Sequence, residues 1–329
     1  MYQISENLRI DSQLIEKYQW LKELKEQNIQ DIQLNLFRVW CLDISHDLSL
    51  LVVGGISKDH IVYVYDQYSM TQCNQLNVTS HQVYQLLFSQ NDKYLCAGCY
   101  GKQILLWNVD DVRKIQNVKY KRIIQTEFGV IARTLFFNNE KQLCFQGKSH
   151  LFMIDLENNE QAKTIKINHK PSSFDINQNK IYEIGNSSII YIRDFNIDKA
   201  LKFTCCILSQ LEEIVVSKNN YFMVVASHQN LLFLNTINGK LIRKLKTLGK
   251  IQSIKLSSND RLLIQTNIHP SEQLDKIQFI NIETGQILLD YQTQLSQPAF
   301  ISKMMPNKFI FGKINSIEIW NFDTSSYQL

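Results

Sequence analysis

The chain has 329 residues and a formal net charge of +4, with 44% hydrophobic and 20% charged residues. That balance belongs to a globular chain rather than a disordered one. The charge is too small and too evenly spread to argue for a nucleic-acid surface, and no apolar run approaches the ~20 residues needed to span a bilayer.

In chain order, the first predicted element is an amphipathic helix over residues 11–27. Asp11 or Ser12 caps it, and Leu14, Tyr18 and Leu21 share one face, flanked by Ile15 and Leu24. Trp20 falls about 120° from the centre of that stripe at ~100° per residue. The helix either packs on the body of the protein or recruits a partner helix. Residues 29–33 then read as an isolated strand. From there to the C-terminus one pattern recurs: strand, polar turn, strand, turn, then a short apolar strand ending in a polar residue. The last residue before each polar break serves as an anchor. The anchors are Tyr65, Trp107, Ile154, Ile192, Leu234, Ile280 and Trp320, spaced 38 to 47 residues apart. A repeat of ~40–45 residues with four strands per unit is the period of a β-propeller. The turns Ser89-Gln90-Asn91-Asp92-Lys93, Ser217-Lys218-Asn219-Asn220 and Ser257-Ser258-Asn259-Asp260-Arg261 punctuate equivalent positions. The chain stops soon after the third strand of the last repeat, so residues 29–33 are expected to supply its fourth strand and close the ring.

The second repeat carries the order Ser80-His81, Phe88-Ser89, Leu95-Cys96-Ala97-Gly98 and Ile104-Leu105-Leu106-Trp107-Asn108. It resembles the Gly-His, strand, Leu-Ala-Ser-Gly, Trp-Asp order of the WD40 family. The resemblance implies a closed, seven-bladed, all-β propeller over residues 29–329, with residues 1–28 as an extension bearing the short helix. It also implies a non-catalytic scaffold that presents loops to protein or peptide partners inside a larger assembly, with no cofactor, metal or small-molecule substrate. Asp59, and His81 in the place of the Gly-His residue, are expected to brace blades together with the packed rings of Tyr65, Trp107 and Trp320. The bracing aspartate is missing from most repeats, so apolar packing is expected to hold the blades. The turns before the third strands are the expected partner face. Lys58, His60, Tyr100, Lys102, His228 and Gln229 are the candidate contacts there, with Trp20 on the helix.

Other chemistry is poorly supported by the residues. The seven cysteines are odd in number and scattered, which fits buried thiols in a reducing, cytoplasmic compartment. Cys96-Ala97-Gly98-Cys99 has the spacing of a zinc half-site, but no second pair completes four ligands. No two histidines stand at helical ligand spacing. Gly147-Lys148-Ser149 lacks the remainder of a phosphate loop. The acid pairs Asp110-Asp111 and Glu212-Glu213 are expected in solvated loops. Two alternatives stay open. One is an enzyme or ligand-binding protein using a central channel, with His60 and His228 facing inward. The other is a nucleic-acid platform built on Lys119, Lys121 and Arg122.

Overall fold

The computed structural model describes residues 29–80, 82–100, 103–125, 134–137, 141–146, 150–157, 161–166, 173–177, 180–185, 188–194, 197–204, 210–247, 249–257, 260–268, 275–293, 302–304, 308–313 and 315–321. The helix expected over 11–27, with Trp20, lies outside them, as do His81 and Lys102.

The first strand, β1, is Ile29–Gln33. Six sheets then follow in sequence order. They are β2 (Arg38–Ile44), β3 (Leu50–Ile56), β4 (Ile61–Asp66) and β5 (Gln72–Asn77); β6 (Val83–Phe88), β7 (Tyr94–Cys99), β8 (Gln103–Asn108) and β9 (Arg122–Gln125); β10 (Thr134–Phe137), β11 (Gln142–Gln146), β12 (His150–Asp155) and β13 (Gln161–Lys166); β14 (Ser173–Asn177), β15 (Lys180–Ile184), β16 (Ile189–Asp194) and β17 (Ile197–Thr204); β18 (Leu211–Val216), β19 (Phe222–Ser227), β20 (Asn230–Asn235) and β21 (Leu241–Lys246); and β22 (Lys250–Leu256), β23 (Leu262–Ile268), β24 (Asp275–Asn281) and β25 (Ile287–Thr293). The seventh sheet holds β26 (Ser302–Met304), β27 (Lys308–Gly312) and β28 (Ser316–Asn321) in the order β1-β28-β27-β26. Each of the seven sheets has four antiparallel strands, and each anchor residue lies in the third strand of its repeat.

The third strands show why the pattern is so legible. β4, β8 and β20 are buried along their middle four residues, with only their ends partly open. Both faces of such a strand pack against neighbouring blades, so the sequence reads as an apolar run rather than an alternation. The core is accordingly a series of seams between blades. Val39, Val53, Leu86 and Trp107 pack the first seam, where Ile310, Ile317 and Ile319 of the last blade join them. Phe279, Phe309, Phe311 and Trp320 pack the seam between the sixth and seventh blades.

Polar atoms add a second bracing system that the residue pattern did not foretell. The innermost strand of each blade has no partner strand on its inner edge, so its N–H groups need acceptors from elsewhere. The preceding blade supplies several. Asp43 Oδ2 accepts from Phe88 N (2.7 Å), Asp175 Oδ2 from Val216 N (2.8 Å) and Glu213 Oε2 from Ile254 N (2.7 Å). Gln85 accepts from Thr134 N and donates to Thr134 O (2.8 Å). Thus apolar packing is not the only tie between blades. Asp43→Ala is expected to cost ~1–3 kcal/mol, because it removes the acceptor from a buried N–H. Asp43→Asn, which keeps an acceptor, should cost less; equal denaturation midpoints for wild type and Asp43→Ala would refute this role.

The first-to-second turns are locally built. Ser45, Ser89, Ser217 and Ser257 each accept at Oγ from the N–H five residues on. Leu48, Asp92, Asn220 and Asp260 take positive φ of 61°, 52°, 57° and 58°. Asn and Asp tolerate that conformation better than most residues. The Asp92 carboxylate then reaches back to the turn of the preceding blade, accepting from His46 N (2.8 Å) and Asp47 N (2.7 Å). Asp260 does the same for Lys218 N (2.7 Å).

Both acid pairs depart from the expected solvated loops. Asp110 and Asp111 open a helix, α1 (Val109–Lys114), with Arg113 and Lys114 in its last turn. That charge order suits the helix dipole, and Val109 and Val112 are buried beneath it. Asn74 caps its end, donating to Val112 O (2.7 Å) and Ile115 O (2.8 Å). Glu212 and Glu213 lie within β18, an innermost strand.

Candidate protein-interaction face

Antiparallel succession puts the second-to-third turns and the links between blades at one end of the sheets. The first-to-second and third-to-fourth turns lie at the other end. Lys58, Asp59 and His60 occupy the second-to-third turn of blade 1, Tyr100 that of blade 2, and His228 and Gln229 that of blade 5. All six are exposed. They share an end of the molecule, but blade 5 is not a neighbour of blades 1 and 2, so they form two separate groups. Asp59 stands on the surface, where its N–H donates to Ser57 Oγ (3.2 Å), rather than between blades. Tyr65, Trp107 and Trp320 are buried, at 6%, 0% and 1% exposure.

Three aromatic residues outside the predicted contact set join the blade 1–2 group. The innermost strands β2 and β6 each carry a bulge near this end, between Val39 and Cys41 and between Val83 and Gln85. The extra residues are Trp40 and Tyr84, and their rings stack with centroids 4.9 Å apart at 21°. Tyr84 Oη donates to Gln82 Oε1 (2.8 Å), and Tyr100 N donates to Gln82 O (3.0 Å), so Gln82 links the two tyrosines. Burial and the neighbouring Tyr100 push the Tyr84 phenol up. Phe37, 54% exposed, lies beneath Lys58 Nζ at 4.9 Å from the ring centroid. Aligned repeats carry the hint of this group: Val39-Trp40 and Val83-Tyr84 hold an aromatic at the same place. The bulge that brings them together is not visible in that alignment.

Other candidates are dispersed. Cys96 and Cys99 lie three apart on β7 and therefore face opposite seams; Cys96 packs between blades 2 and 3, Cys99 between blades 1 and 2. Burial pushes both thiols up to about 12, which suppresses thiolate chemistry. His60 and His228 sit in turns joining the two middle strands of their blades, one strand removed from the innermost strand. Burial lowers the Arg122 guanidinium from its ordinary value, and it lies at the start of β9, three residues after Lys119. Among the described residues no three His, Cys, Asp or Glu side chains group to hold a metal ion. No helix among them is long and apolar enough to cross a membrane.

The family model for the WD domain, G-beta repeat matches residues 33–66 and 72–108. Those two stretches begin at the end of β1 and cover most of blades 1 and 2, and five further sheets repeat their four-strand plan. The chain is a WD40-repeat β-propeller. No curated protein matches it. The family's aspartate after the third-strand anchor has a clear physical role in this WD40 chain. Asp66 Oδ1 accepts from Tyr68 N and Ser69 N (3.2 and 2.8 Å), and Asn235 Oδ1 accepts from Ile237 N and Asn238 N (2.9 and 3.1 Å). The side chain thereby folds the following turn back toward the fourth strand.

One charged pair in the WD40 seams gives a pH-dependent expectation. Glu183 on β15 has a fully buried side chain, and Arg193 Nε donates to its Oε1 at 2.6 Å. Burial raises the carboxyl above its ordinary 4.5, and Arg193 offsets only part of that. The folded state therefore holds this proton more tightly than the unfolded state. Its contribution to stability is greatest below the ordinary carboxylate value and declines as pH rises through the raised one. Chemical denaturation across that window should show this slope in wild type and a flatter profile in Glu183→Gln. An identical profile for both would refute the assignment.

Proposed function

We propose that this WD40 propeller is a non-catalytic interaction scaffold, a ring closed by β1 and working inside a larger protein assembly. Its partners are proteins or peptides, and it needs no cofactor, metal, nucleic acid or small-molecule substrate. Contacts centre on Lys58, His60 and Tyr100 with the adjoining Lys102. His228 and Gln229 form a second site across the ring, and Trp20 belongs to the N-terminal extension. The reducing cytoplasm suits its buried thiols. WD40 propellers generally serve as protein-interaction scaffolds and are typically non-catalytic.

The observation that carries this reading is the cluster at the second-to-third turns of blades 1 and 2. There Tyr100 is 49% exposed beside Tyr84, which stacks on the buried Trp40, and beside a Lys58–Phe37 pair. Aromatic and cationic side chains clustered in this way are favoured interface anchors. The test is affinity capture from native lysate with the full chain, a Lys58→Glu/Tyr100→Ala variant and a chain lacking residues 1–26. A defined partner set that the double variant loses supports the face. Loss on truncation alone moves the contact to the N-terminal extension, and no partner with any chain overturns the scaffold reading.

A further inference from the structure

We propose that the outer edge of blade 5, strand β21, is a second docking site, which accepts an extended acidic segment of a partner as an added strand. It is independent of the face described above. β21 is the outermost strand of its sheet and pairs only with β20 among the described residues. Its sequence, Leu241-Ile242-Arg243-Lys244-Leu245-Lys246, is the most open of the fourth strands whose burial is described throughout. Leu241 and Ile242 are 56% and 53% exposed, and Ile237 in the preceding turn is 75% exposed. Tyr221, 62% exposed, adjoins the same corner, where Thr236 N donates to Tyr221 O (3.3 Å). Large apolar side chains gathered on an edge strand are an interaction or aggregation liability unless something covers them.

The fourth strand of blade 1 shows how this chain covers an edge. Gln116 Nε2 donates to Cys73 O (2.7 Å) on β5, and Asn74 of the same strand holds the end of α1. The Ile282–Gly285 turn of blade 6 reaches one face of β21 through Arg243 and Leu245, but among the described residues no backbone hydrogen bond covers its outer edge.

Charge selects the occupant. From residue 214 to 259 the chain carries Lys218, Lys240, Arg243, Lys244, Lys246, Lys250 and Lys255 and no acidic residue. Lys240, Lys244 and Lys246 are exposed. In the register Leu232↔Lys244 and Asn230↔Lys246, both lysines lie on one face of the strand. Arg243 on the other face is turned toward blade 6, where its guanidinium donates to the carbonyls of Ile282 (2.8 Å) and Glu283 (2.6 Å). A strand added to β21 would therefore meet Lys244 and Lys246 on one face, with the aliphatic surface of Leu241 and Ile242 at the start of the strand. Lysines on an edge repel a second copy of the same strand, while an acidic strand gains cross-strand pairing with them.

The test titrates the full chain against labelled peptides of equal length. These alternate glutamate with valine or lysine with valine, or form an acidic amphipathic helix, and phosphatidylserine vesicles are a fourth probe. The glutamate–valine peptide should bind best and weaken at least tenfold when salt rises from about 0.05 to 0.5 M. Methylating alternate backbone nitrogens on its pairing edge should abolish binding. Lys240→Glu/Lys244→Glu/Lys246→Glu and Leu241→Asp/Ile242→Asp should each weaken it at least tenfold with an unchanged melting temperature, since all five side chains are exposed. Equal binding of the lysine peptide, preference for the helix or the vesicles, retention by the charge-reversed variant, or no binding by any probe would overturn the proposal.

Discussion

A chain lacking residues 1–34 should melt about 10 °C below the full chain and self-associate, whereas one lacking residues 1–26 should match it. The difference between the two is β1. Its five residues pair with β28 in the register Ile29↔Trp320 to Gln33↔Ser316, and Leu34 N continues the contact to Asn315 O (2.9 Å). Removing it loses several backbone hydrogen bonds at ~0.5–1.5 kcal/mol each and the packing of Ile32 against the first seam. A total of ~4 kcal/mol at about 2–4 °C per kcal/mol gives the expected shift, and the bared edge of β28 explains the self-association. An unchanged melting temperature and a monomeric elution volume for the shorter chain would reject closure by β1.

The same strand carries an electrostatic latch. Asp31 lies directly opposite Glu318, an arrangement of like charges that is unfavourable by itself. Lys313 Nζ bridges them at 3.0 and 3.1 Å. Partial burial works against its ammonium, but the two carboxylates outweigh that and hold it above its ordinary value. The lysine's contribution is therefore present at neutral pH and is lost as pH rises through the raised value.

The second large effect separates two tryptophans that look alike in the repeat. Trp107→Ala and Trp320→Ala should each cost ~3–5 kcal/mol through lost core packing. Their phenylalanine variants should diverge. Trp107 Nε1 is buried without an acceptor among the described residues, so Trp107→Phe removes an unsatisfied donor as it loses volume. The two effects oppose, at ~1–3 kcal/mol for the donor, and the net change should stay within ~1 kcal/mol. Trp320 Nε1 donates to Glu318 Oε1 at 2.7 Å, and its ring meets Tyr291 at 4.6 Å and both Phe309 and Phe311 at 5.3 Å. Trp320→Phe takes a donor from a buried carboxylate and leaves a gap, for ~3–4 kcal/mol. Denaturant midpoints of the four variants decide the matter; equal losses for the two phenylalanine variants would show that the Glu318 bond carries no weight.

The sequence by itself determined the number of blades, the place of every third strand and first-to-second turns such as those at Ser89, Ser217 and Ser257. Those features are local. A strand buried on both faces needs an apolar run, and a tight turn needs residues such as Ser89, Asp92 and Asp260 that bond their own backbone or tolerate positive φ. The exposure of Lys58, His60 and Tyr100 followed from their place in such turns. Tertiary structure decided what lies between repeats. The acceptors Asp43, Gln85, Asp175 and Glu213 serve strands 41 to 49 residues away, a separation across which no local pattern operates. The bulges at Trp40 and Tyr84 insert one residue and so reverse the facing that strict alternation would assign. The turn after Trp107 became a helix because Asn74, in the neighbouring blade, receives its end. The exposed edge of β21 is a property of the whole ring, since it depends on which neighbouring segments reach it. Local chemistry writes the repeat, and the packing of one repeat on the next decides which of its polar atoms brace the ring and which side chains meet solvent.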